Sequence, residues 1–512
     1  MKKLPGTFLT IGLFLFCVLI LMLSVRGIAG NPDSYNLNTN FWKEDGPFEL
    51  SPERGRFALV YSLIEDNSFY FSHDIARFAM PDLGYKNGHF VSLFAPGVSF
   101  LVIPGYIIGR FFEAGQVGAF AVIALFALFN AFLIRKIAIA LGINPYAASL
   151  GALVFLFATP AFAYGVSLYQ HHISTFLILV SIYMLLSFRS VWSSAVIWFL
   201  FAMSIPIDYP NLFLMLPIAI AAFLKNFSVE EIAHRIRFKI KFAGFLAILA
   251  VVFPLLFFMW FNASSYGNPF QFSGTVQGVR GLDESGNPIA PKSSGKPKNA
   301  IAFFQTRNLL NGFYIHFVSS DRSILWFTPV IFISIVGIYL FYKNKSGHIL
   351  SLLLGVVGID VLLYSMWGDP WGGYAFGSRY LIPSYAILSI FIAYALTVFR
   401  KNILFVGLFF VLFSYSVCIN TLGAITSSSN PPKTEVLALE AKSGKEEKYT
   451  YQRNYDRLLA NQSKSFFFQA FAKNYVSAMQ YFALLSWLII MMGFSFVLIL
   501  FLQKERNKVN GD

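Results

Sequence analysis

The sequence is short of charged residues and of cysteine. Charged residues make up 12% of its 512 residues, about half the fraction typical of soluble domains, whereas hydrophobic residues make up 56%. The two cysteines, Cys17 and Cys418, lie inside apolar runs, so a disulfide framework is not expected. Many of these runs approach the roughly 20 residues that a helix needs to cross a bilayer. The composition therefore excludes a soluble globular protein and predicts a polytopic membrane protein.

Thirteen apolar runs divide the chain. The first run follows Lys2 and Lys3 and is too long for a typical signal-peptide core, so we expect an uncleaved anchor. The runs fall near 5–25, 98–112, 116–134, 145–166, 173–188, 191–206, 209–224, 242–262, 324–342, 349–366, 382–399, 403–424 and 481–502.

Basic residues near the ends of these runs predict the orientation of the chain. If run 98–112 crossed the membrane, every later basic cluster would lie outside, against the positive-inside rule. This run contains Pro104 and Gly105 and ends at Arg110, which suits a bent helix in the outer interface. We therefore predict an all-α polytopic membrane protein with about twelve transmembrane helices, external juxtamembrane helices and loops, and both termini in the cytoplasm. The clusters are Arg135–Lys136, Arg189, segment 225–241, Lys343 with Lys345, Arg400–Lys401 and Lys504–Lys508.

This topology divides the chain into three parts. Residues 1–424 form a transmembrane region with a long external loop at 27–113, residues 425–480 an external polar loop or cap, and residues 481–512 the last span and a cytoplasmic tail. The net charge of +14 is then accounted for by the cytoplasmic ends of the spans, so no nucleic-acid partner is expected. Polar sequence that could carry chemistry collects outside, at 27–113, 167–172, 207–210, 263–323, 367–381 and 425–480.

The first external loop contains two candidate catalytic acids. In SPERGRF, residues 51–57, Glu53 and Arg56 stand at positions i and i+3 of a predicted helix that begins at its Ser-Pro pair. This pattern alone indicates either a capped interfacial helix with a local ion pair or a functional pair. Asp82 lies further along the same loop, just before an Asn-Gly turn.

Other predicted outer boundaries hold further polar candidates. His89 follows the Asn-Gly turn, and SLYQHH, residues 167–172, places His171 at the outer end of a span. Adjacent histidines on a helix point about 100° apart, so the two side chains are poorly placed to bind the same metal ion. Asp208 lies between two prolines, and Asp321-Arg322 precedes another span. An acid at such a boundary is costly unless it is solvated or paired, so each is either an interfacial anchor or a substrate contact.

The densest polar and aromatic cluster is WGDPWGGYAFGSRYLIP, residues 367–383, which contains Asp369, Arg379 and Tyr380. Its glycines allow the backbone to approach closely, and its Trp and Tyr residues suit the membrane interface. Arg379 stands at the top of a predicted span, where a guanidinium is suited to bind phosphate. An aromatic belt with a snorkelling arginine explains the Trp residues and Arg379 but not the density of glycine.

Together these motifs resemble the GT-C superfamily of membrane glycosyltransferases, in the branch of protein mannosyltransferases and lipid A aminoarabinose transferases. The resemblance covers most of the chain, and two positions depart from it. Leu93-Phe94 stand where many family members carry a Lys or a second charge, and Pro52-Glu53 replace an acidic pair. The matching elements are PERGRF at 52–57, GHFVSLFAPG at 88–97, GNPF at 267–270 and WGGYAFGSRYLIP at 371–383.

The resemblance implies a plasma-membrane enzyme that transfers a sugar from a polyprenyl phosphate to an acceptor on the outer face, with inversion at the sugar carbon. It implies Glu53 or Asp82 as the general base and Arg56, Arg322 or Arg379 as ligands of the donor phosphate. A divalent metal ion held by the first-loop acids and the histidines stays open as a cofactor, and the acceptor is a protein, lipid or glycan. The residues expected to contact substrate are His89, His171, Asp208, Asp369 and Tyr380.

Two other functions share these features. A transporter or flippase for a lipid-linked sugar would have similar spans, but transporters place polar residues near the bilayer midplane. The predicted spans carry few ionisable residues, Asp360 being an exception, which favours chemistry at the surface. A non-catalytic scaffold with a GT-C-like fold is kept open by Phe94 and by the missing second acid.

Overall fold

The computed structural model describes residues 4–188, 190–232, 235–283, 286–289, 303–344 and 347–503. About 69% of the described residues are helical, and their strands form three two-stranded sheets. The predicted all-α polytopic architecture is therefore confirmed. Some of the basic residues that predict the orientation of the chain lie outside the described residues: Arg189, Lys345 and the Lys504–Lys508 cluster.

Twenty-two α-helices follow one another along the described chain. They are α1 Leu4–Ser24, α2 Ser51–Ile64, α3 His73–Ala79, α4 Gly97–Phe111, α5 Gly115–Ala140, α6 Pro145–Phe157, α7 Ala161–Gly165, α8 His171–Ser187, α9 Val191–Ile207, α10 Asn211–Leu214, α11 Leu216–Leu224, α12 Phe242–Leu246, α13 Val252–Tyr266, α14 Leu309–Phe317, α15 Ile324–Phe327, α16 Ile333–Asn344, α17 Gly347–Ser365, α18 Ile382–Val398, α19 Ile403–Ile425, α20 Lys433–Ser443, α21 Gln452–Leu459 and α22 Ala478–Leu502. Three antiparallel hairpins pair β1 Leu83–Lys86 with β2 His89–Ser92, β3 Phe227–Ile232 with β4 Arg235–Ile240, and β5 Gly281–Leu282 with β6 Pro288–Ile289.

The apolar helices identify a multi-pass membrane protein. Six of them, among the described residues, are long and apolar enough to cross a membrane by length and composition: Gly115–Ala140, Phe242–Tyr266, Gly347–Ser365, Arg379–Val398, Ile403–Ile425 and Ala478–Leu502. Shorter apolar helices are Leu9–Ser24, Gly97–Phe111, Pro145–Phe157, His171–Ser187, Val191–Ile207, Asn211–Leu224 and Pro329–Asn344. Each of these helices coincides with one of the apolar runs in the sequence.

The helices run back and forth, so their ends collect on two opposite faces. One of them, here called the loop face, holds the long polar segments, which are joined by hydrogen bonds such as that from Arg26 N to Val166 O at 3.1 Å. On the opposite face, Asn144 Nδ2 donates to Gln503 Oε1 at 2.6 Å. The loop face is the one that the sequence predicts to lie outside. It comprises residues 25–114, 158–170, 208–210, 267–283, 303–323, 366–381 and 426–477.

Helix α4 corresponds to the run that the sequence assigns to the interface. Its start, at Gly97, lies against the loop-face end of α9. Near its other end, Arg110 Nη1 pairs with Glu65 Oε1 of the first loop at 2.7 Å. Between the two ends, Gly105 and Gly118 of α5 pack so closely that neither position has room for a Cβ atom. Both ends of α4 thus lie at the loop face, which supports an interfacial position.

Two of the predicted spans are interrupted by proline. Run 145–166 becomes α6 and α7, separated by Thr159-Pro160, and run 324–342 begins as α15 and stops at Thr328-Pro329. Proline lacks an N–H group and disfavours helix in the preceding residue. The hydroxyl of Thr328 donates to the carbonyl oxygen of Ala158 at 2.5 Å. The hydroxyl group at one interruption is therefore satisfied by a backbone carbonyl group at the other.

A buried ionic cluster joins the first loop to the segment after α19. The carboxylate of Glu49 accepts from Lys464 Nζ at 2.6 Å, from Arg26 Nη1 at 3.3 Å and from Ser427 Oγ at 2.7 Å. Burial raises the pKa of Glu49, but Lys464 and Arg26 outweigh burial and lower it to about 2. The cluster fixes the end of α1, the first loop and residues 427–464 relative to one another. The three-part division of the chain stays a prediction.

Candidate active site

One cavity on the loop face collects most of the predicted site residues. Its volume is about 970 Å³, and it lies among the start of α2, the turn before β1, the loop between α9 and α10, and segment 367–380. A cavity with apolar walls and a few converging polar groups is the usual form of a ligand site. The predicted residues that line it are Arg56, Asp82, Asp208, Asp369, Arg379 and Tyr380. Its apolar and aromatic walls include Phe94, Ile207, Tyr209, Phe272, Trp367 and Tyr374.

Arg379 has unused hydrogen-bond donors at this cavity. The residue is 9% exposed, and its Nη2 donates to the carbonyl oxygen of Gly372 at 2.8 Å. The Tyr380 hydroxyl is close to the guanidinium, yet Nε and Nη1 have no well-formed hydrogen bond to any described residue. The ring centroids of Tyr169 and Tyr164 lie 5.1 and 5.9 Å from Cζ. Because buried donors without partners are costly, an anion bound here would be stabilised.

Arg322 supports the turn that contains Gly372, whose carbonyl oxygen accepts the hydrogen bond from Arg379. Gly372 and Gly373 have φ angles of 73° and 62°, a left-handed conformation that strains residues with a Cβ atom. Nη1 of Arg322 donates to the carbonyl oxygens of Trp371 and Gly373, and Nη2 pairs with Asp321 at 2.9 Å. Arg322 is 1% exposed and is not among the described residues that line the cavity. It holds the cavity wall in place, so it would affect a bound phosphate only indirectly.

Arg56 reaches the cavity from α2. Its Nη1 donates to a carbonyl oxygen one turn earlier in the helix at 2.9 Å, and its Nη2 donates to Gln170 Oε1 at 2.6 Å. The ring of Phe94 lies 4.7 Å from Cζ and that of Tyr169 lies 5.8 Å away. Burial lowers the pKa of Arg56 to about 10, while Asp208 opposes the shift, so the guanidinium stays charged at neutral pH. Phe94, which departs from the motif that the sequence resembles, therefore packs on a cavity arginine.

Three carboxylates line the cavity from three different loops. Asp82 accepts a hydrogen bond from Ser51 Oγ at 2.6 Å. Asp208 accepts from Gln170 Nε2 at 2.9 Å; burial raises its pKa and this hydrogen bond opposes the rise. Asp369 is exposed and accepts from the backbone N–H four residues later at 2.5 Å. Within the described part of the chain, no group of three His, Cys, Asp or Glu side chains is placed to hold a metal ion.

An apolar groove adjoins the cavity on its membrane side. This second cavity, of about 290 Å³, shares the walls Phe213 and Phe304 with the first. Its other lining residues lie on α11 and at the end of α17. They are Leu216, Ile359, Leu362, Leu363 and Met366. A ligand with a polar head and an apolar chain would fit here, with its head in the cavity and its chain in the apolar groove.

Glu53, the other acid of the first loop, lies at the start of α2 and is fully buried. Its Oε2 accepts from Leu50 N at 3.3 Å, and it is not among the described residues lining the cavity. Burial, followed by the proximity of Glu49, raises the pKa of Glu53 to about 7. The two candidate bases thus differ in position: Asp82 faces the cavity, whereas Glu53 caps a helix.

The two candidate histidines lie apart from each other. His89 is exposed and stacks on Tyr70 with ring centroids 4.1 Å apart. His171 is 3% exposed, and its ring centroid lies 5.9 Å from that of Tyr169 and 6.2 Å from that of Tyr380. Neither histidine is among the described residues that line the cavity, so His171 adjoins it through the tyrosine rings.

Tyr169 and Gln170 are site residues that sequence reasoning missed. The stretch SLYQHH stands out in the sequence for its histidines, but Tyr169 lies against both cavity arginines and Gln170 bonds to Arg56 and Asp208. A buried glutamine has no pattern of its own in a single sequence. The only available signal was its place at the predicted outer end of a span.

Comparison with known proteins gives weak likenesses of fold. No family model and no curated protein sequence matches the chain. Among solved structures, the chain is similar to ArnT from Cupriavidus metallidurans, with a TM-score of 0.46, 12% identity, and coverage of 97% of this chain and 77% of that one. The same protein bound to undecaprenyl phosphate gives a TM-score of 0.45 with 11% identity, covering 96% of this chain and 76% of that one.

The oligosaccharyltransferase of Archaeoglobus fulgidus is also similar, with a TM-score of 0.38 and 14% identity over 87% of this chain and 59% of that one. ArnT, an aminoarabinose transferase, and the oligosaccharyltransferase are glycosyltransferases of the kind that the sequence motifs resemble. At these TM-scores the likeness concerns overall fold alone.

Proposed function

We propose that this chain transfers a sugar from a polyprenyl-phosphate donor to an acceptor at the loop face. The observation that carries the proposal is Arg379: two of its buried donors make no well-formed hydrogen bond to any described residue, and they border a cavity that continues into an apolar groove. A phosphate satisfies such donors, and an isoprenoid chain matches the groove between α11 and α17. The GT-C-like motifs predict the same class of donor.

Arg379 and Arg56 act on the phosphate of the donor. As the bond between the anomeric carbon and the phosphate oxygen breaks, negative charge collects on the departing polyprenyl phosphate. Two guanidinium groups held in advance stabilise that charge without having to reorganise. The Tyr169 ring, which lies against both, keeps them on one side of the cavity.

Asp82 is the general base of the proposed reaction. It takes the proton of an acceptor hydroxyl while that oxygen forms a new bond to the anomeric carbon, opposite the leaving phosphate. The sugar carbon is therefore inverted, the proton ends on Asp82, and polyprenyl phosphate is released. The Ser51 hydroxyl, 2.6 Å from Oδ2, orients the carboxylate. Such a base contributes about 10²–10⁴-fold to the rate.

The remaining polar groups of the cavity contact the sugar and the acceptor. Asp208 and Asp369 accept hydrogen bonds from hydroxyl groups, and Tyr380 forms an aromatic wall whose ring stacks on Tyr364 at 4.4 Å. The proposed location is the plasma membrane, with the loop face outside and both termini in the cytoplasm. The positive-inside pattern of the sequence supports this orientation.

The test measures transfer from radiolabelled polyprenyl-phosphate sugars by purified protein, with crude membrane as the source of acceptor. Wild type, Asp82→Asn and Glu53→Gln are compared, with Asp456→Asn as a matched control at an exposed ion pair. We expect Asp82→Asn to lower kcat about 10²–10⁴-fold with little change in donor KM. Glu53→Gln and Asp456→Asn should retain turnover.

Two outcomes would count against the proposal. Loss of turnover in Glu53→Gln with full activity in Asp82→Asn would move the base to Glu53. Absence of transfer by wild-type protein across a broad donor panel would reject the transferase function and favour a lipid-linked-sugar transporter or a scaffold.

A further inference from the structure

The segment between α7 and α8 forms a buried support behind the cavity. Residues 166–170 follow the short helix α7, and each of them is buried. Tyr169 is 1% exposed and Gln170 is 8% exposed. The segment lies between α2, which carries Arg56, and the loop that carries Asp208, so it contacts residues far away in the sequence.

Gln170 bonds to two cavity residues of opposite charge. Its Oε1 accepts from Arg56 Nη2 at 2.6 Å, across 114 residues of sequence. Its Nε2 donates to Asp208 Oδ2 at 2.9 Å. Both partners line the cavity, whereas Gln170 is not among the described lining residues. The amide therefore bridges a cation and an anion without being available to a ligand itself.

An amide is suited to this place because it accepts on one side and donates on the other. An ionised carboxylate would accept from Arg56 but could not donate to Asp208, and an apolar side chain would do neither. By separating the two charged groups, the amide prevents a direct ion pair in which each would occupy the other's hydrogen-bonding positions. Arg56 and Asp208 thereby remain directed toward the cavity.

We propose that Gln170 is a positioning residue that holds Arg56 and Asp208 at a fixed separation, so that one binds the donor phosphate while the other binds the sugar. The inference rests on the proposed function, because the sugar donor of that function is the ligand that Arg56 and Asp208 would bind. Gln170 acts through its two neighbours and does not touch the reacting atoms.

Two nearly isosteric substitutions separate this role from simple packing. Gln170→Met fills the same space and loses both hydrogen bonds. Gln170→Glu, when ionised, accepts from Arg56 but repels Asp208. When protonated, the same carboxyl group accepts from Arg56 and donates to Asp208, as the amide does. Among the described residues, the charged and titratable groups that surround Gln170 and its two partners include Arg56, Asp208, Asp82, Arg379, Tyr169 and His171.

The experiment measures kcat and donor KM of purified wild type, Gln170→Met and Gln170→Glu between pH 5 and 8, with melting temperatures in the same detergent. We expect Gln170→Met to raise donor KM about tenfold and lower kcat about tenfold at every pH, because both contacts are lost. Gln170→Glu should be impaired at pH 8 and should approach the activity of wild type as the pH falls. Dividing by wild-type activity at each pH removes the pH dependence of the other groups.

A purely structural role predicts a different result. Activity that falls only in proportion to the folded fraction, or a Gln170→Glu variant without relative recovery at low pH, would overturn the proposal. So would Gln170→Met with the kcat and KM of wild type.

Binding of a sugar-free polyprenyl monophosphate distinguishes failure of this inference from failure of the proposed function. If wild type binds the lipid but transfers no sugar, and Gln170→Met binds about tenfold more weakly, the transferase function fails while the positioning role at the phosphate stands. If wild type transfers sugar and Gln170→Met changes neither binding nor turnover, the positioning role alone fails.

Discussion

Replacing Arg379 tests the proposed phosphate site most directly. Its Nε and Nη1 are buried and make no well-formed hydrogen bond within the described part of the chain, so a bound phosphate gains two charge-assisted hydrogen bonds. At about 1.5 kcal/mol for each bond, the lower end for charged groups, their loss amounts to about 3 kcal/mol. Since about 1.4 kcal/mol is tenfold in affinity, Arg379→Gln should bind a polyprenyl monophosphate about a hundredfold more weakly.

The assay is equilibrium binding of a radiolabelled polyprenyl monophosphate to purified protein in detergent. Arg379→Lys should fall between wild type and Arg379→Gln, because it keeps the charge and loses the planar fork. Arg110→Gln, at an arginine whose side chain is 43% exposed and paired with Glu65, is the matched control and should bind like wild type. Affinity of Arg379→Gln within threefold of wild type, at an unchanged melting temperature, would refute the assignment of the phosphate to this guanidinium.

Two further predictions concern stability. Glu53 has its pKa raised from 4.5 to about 7, so the folded state loses stability as pH rises from 4.5 through 7, by roughly 3 kcal/mol at about 1.4 kcal/mol per pKa unit. Glu53→Gln should therefore melt like wild type at pH 4.5 and at a higher temperature at pH 8; equal melting temperatures at pH 8 would contradict this. Glu49→Gln should destabilise the protein by about 3–5 kcal/mol, because it removes the carboxylate that pairs with the buried Lys464 and Arg26, whereas Asp456→Asn should cost about 1 kcal/mol or less. Thermal unfolding at neutral pH compares the Glu49→Gln and Asp456→Asn variants. A Glu49→Gln variant as stable as Asp456→Asn would show that the buried cluster contributes little.

The structure gives physical reasons for the two positions at which the sequence departs from the GT-C motifs that it resembles. Leu93 and Phe94 are the residues that depart from the charged position of the GT-C motif, and the ring of Phe94 packs on the guanidinium of Arg56 at 4.7 Å. The single acid Glu53 caps α2, while Asp82 supplies a carboxylate at the cavity. Neither departure by itself removes the groups that the proposed reaction needs.

Sequence reasoning on the site was most informative where a residue type has a narrow use. An arginine and an aspartate within a Gly- and Trp-rich stretch at a membrane boundary indicated Arg379 and Asp369 as site residues, and both line the cavity. It was least informative where residues of one type lie close together in sequence. Glu53 and Asp82 share the first loop, and the sequence could not tell which of them faces the cavity.

The sequence by itself determined the helical, membrane-embedded architecture and the gathering of polar segments on one face. Hydrocarbon requires each spanning segment to satisfy its own backbone, so about 20 apolar residues predict a helix without knowledge of its neighbours. The tertiary structure alone decided which polar side chains meet. Arg56 and Gln170 are 114 residues apart and Gln170 and Asp208 are 38 apart, and they are joined only because α2, the turn before α8 and the end of α9 converge on the loop face. Such contacts depend on how several helices pack, and no local pattern in the chain encodes that packing.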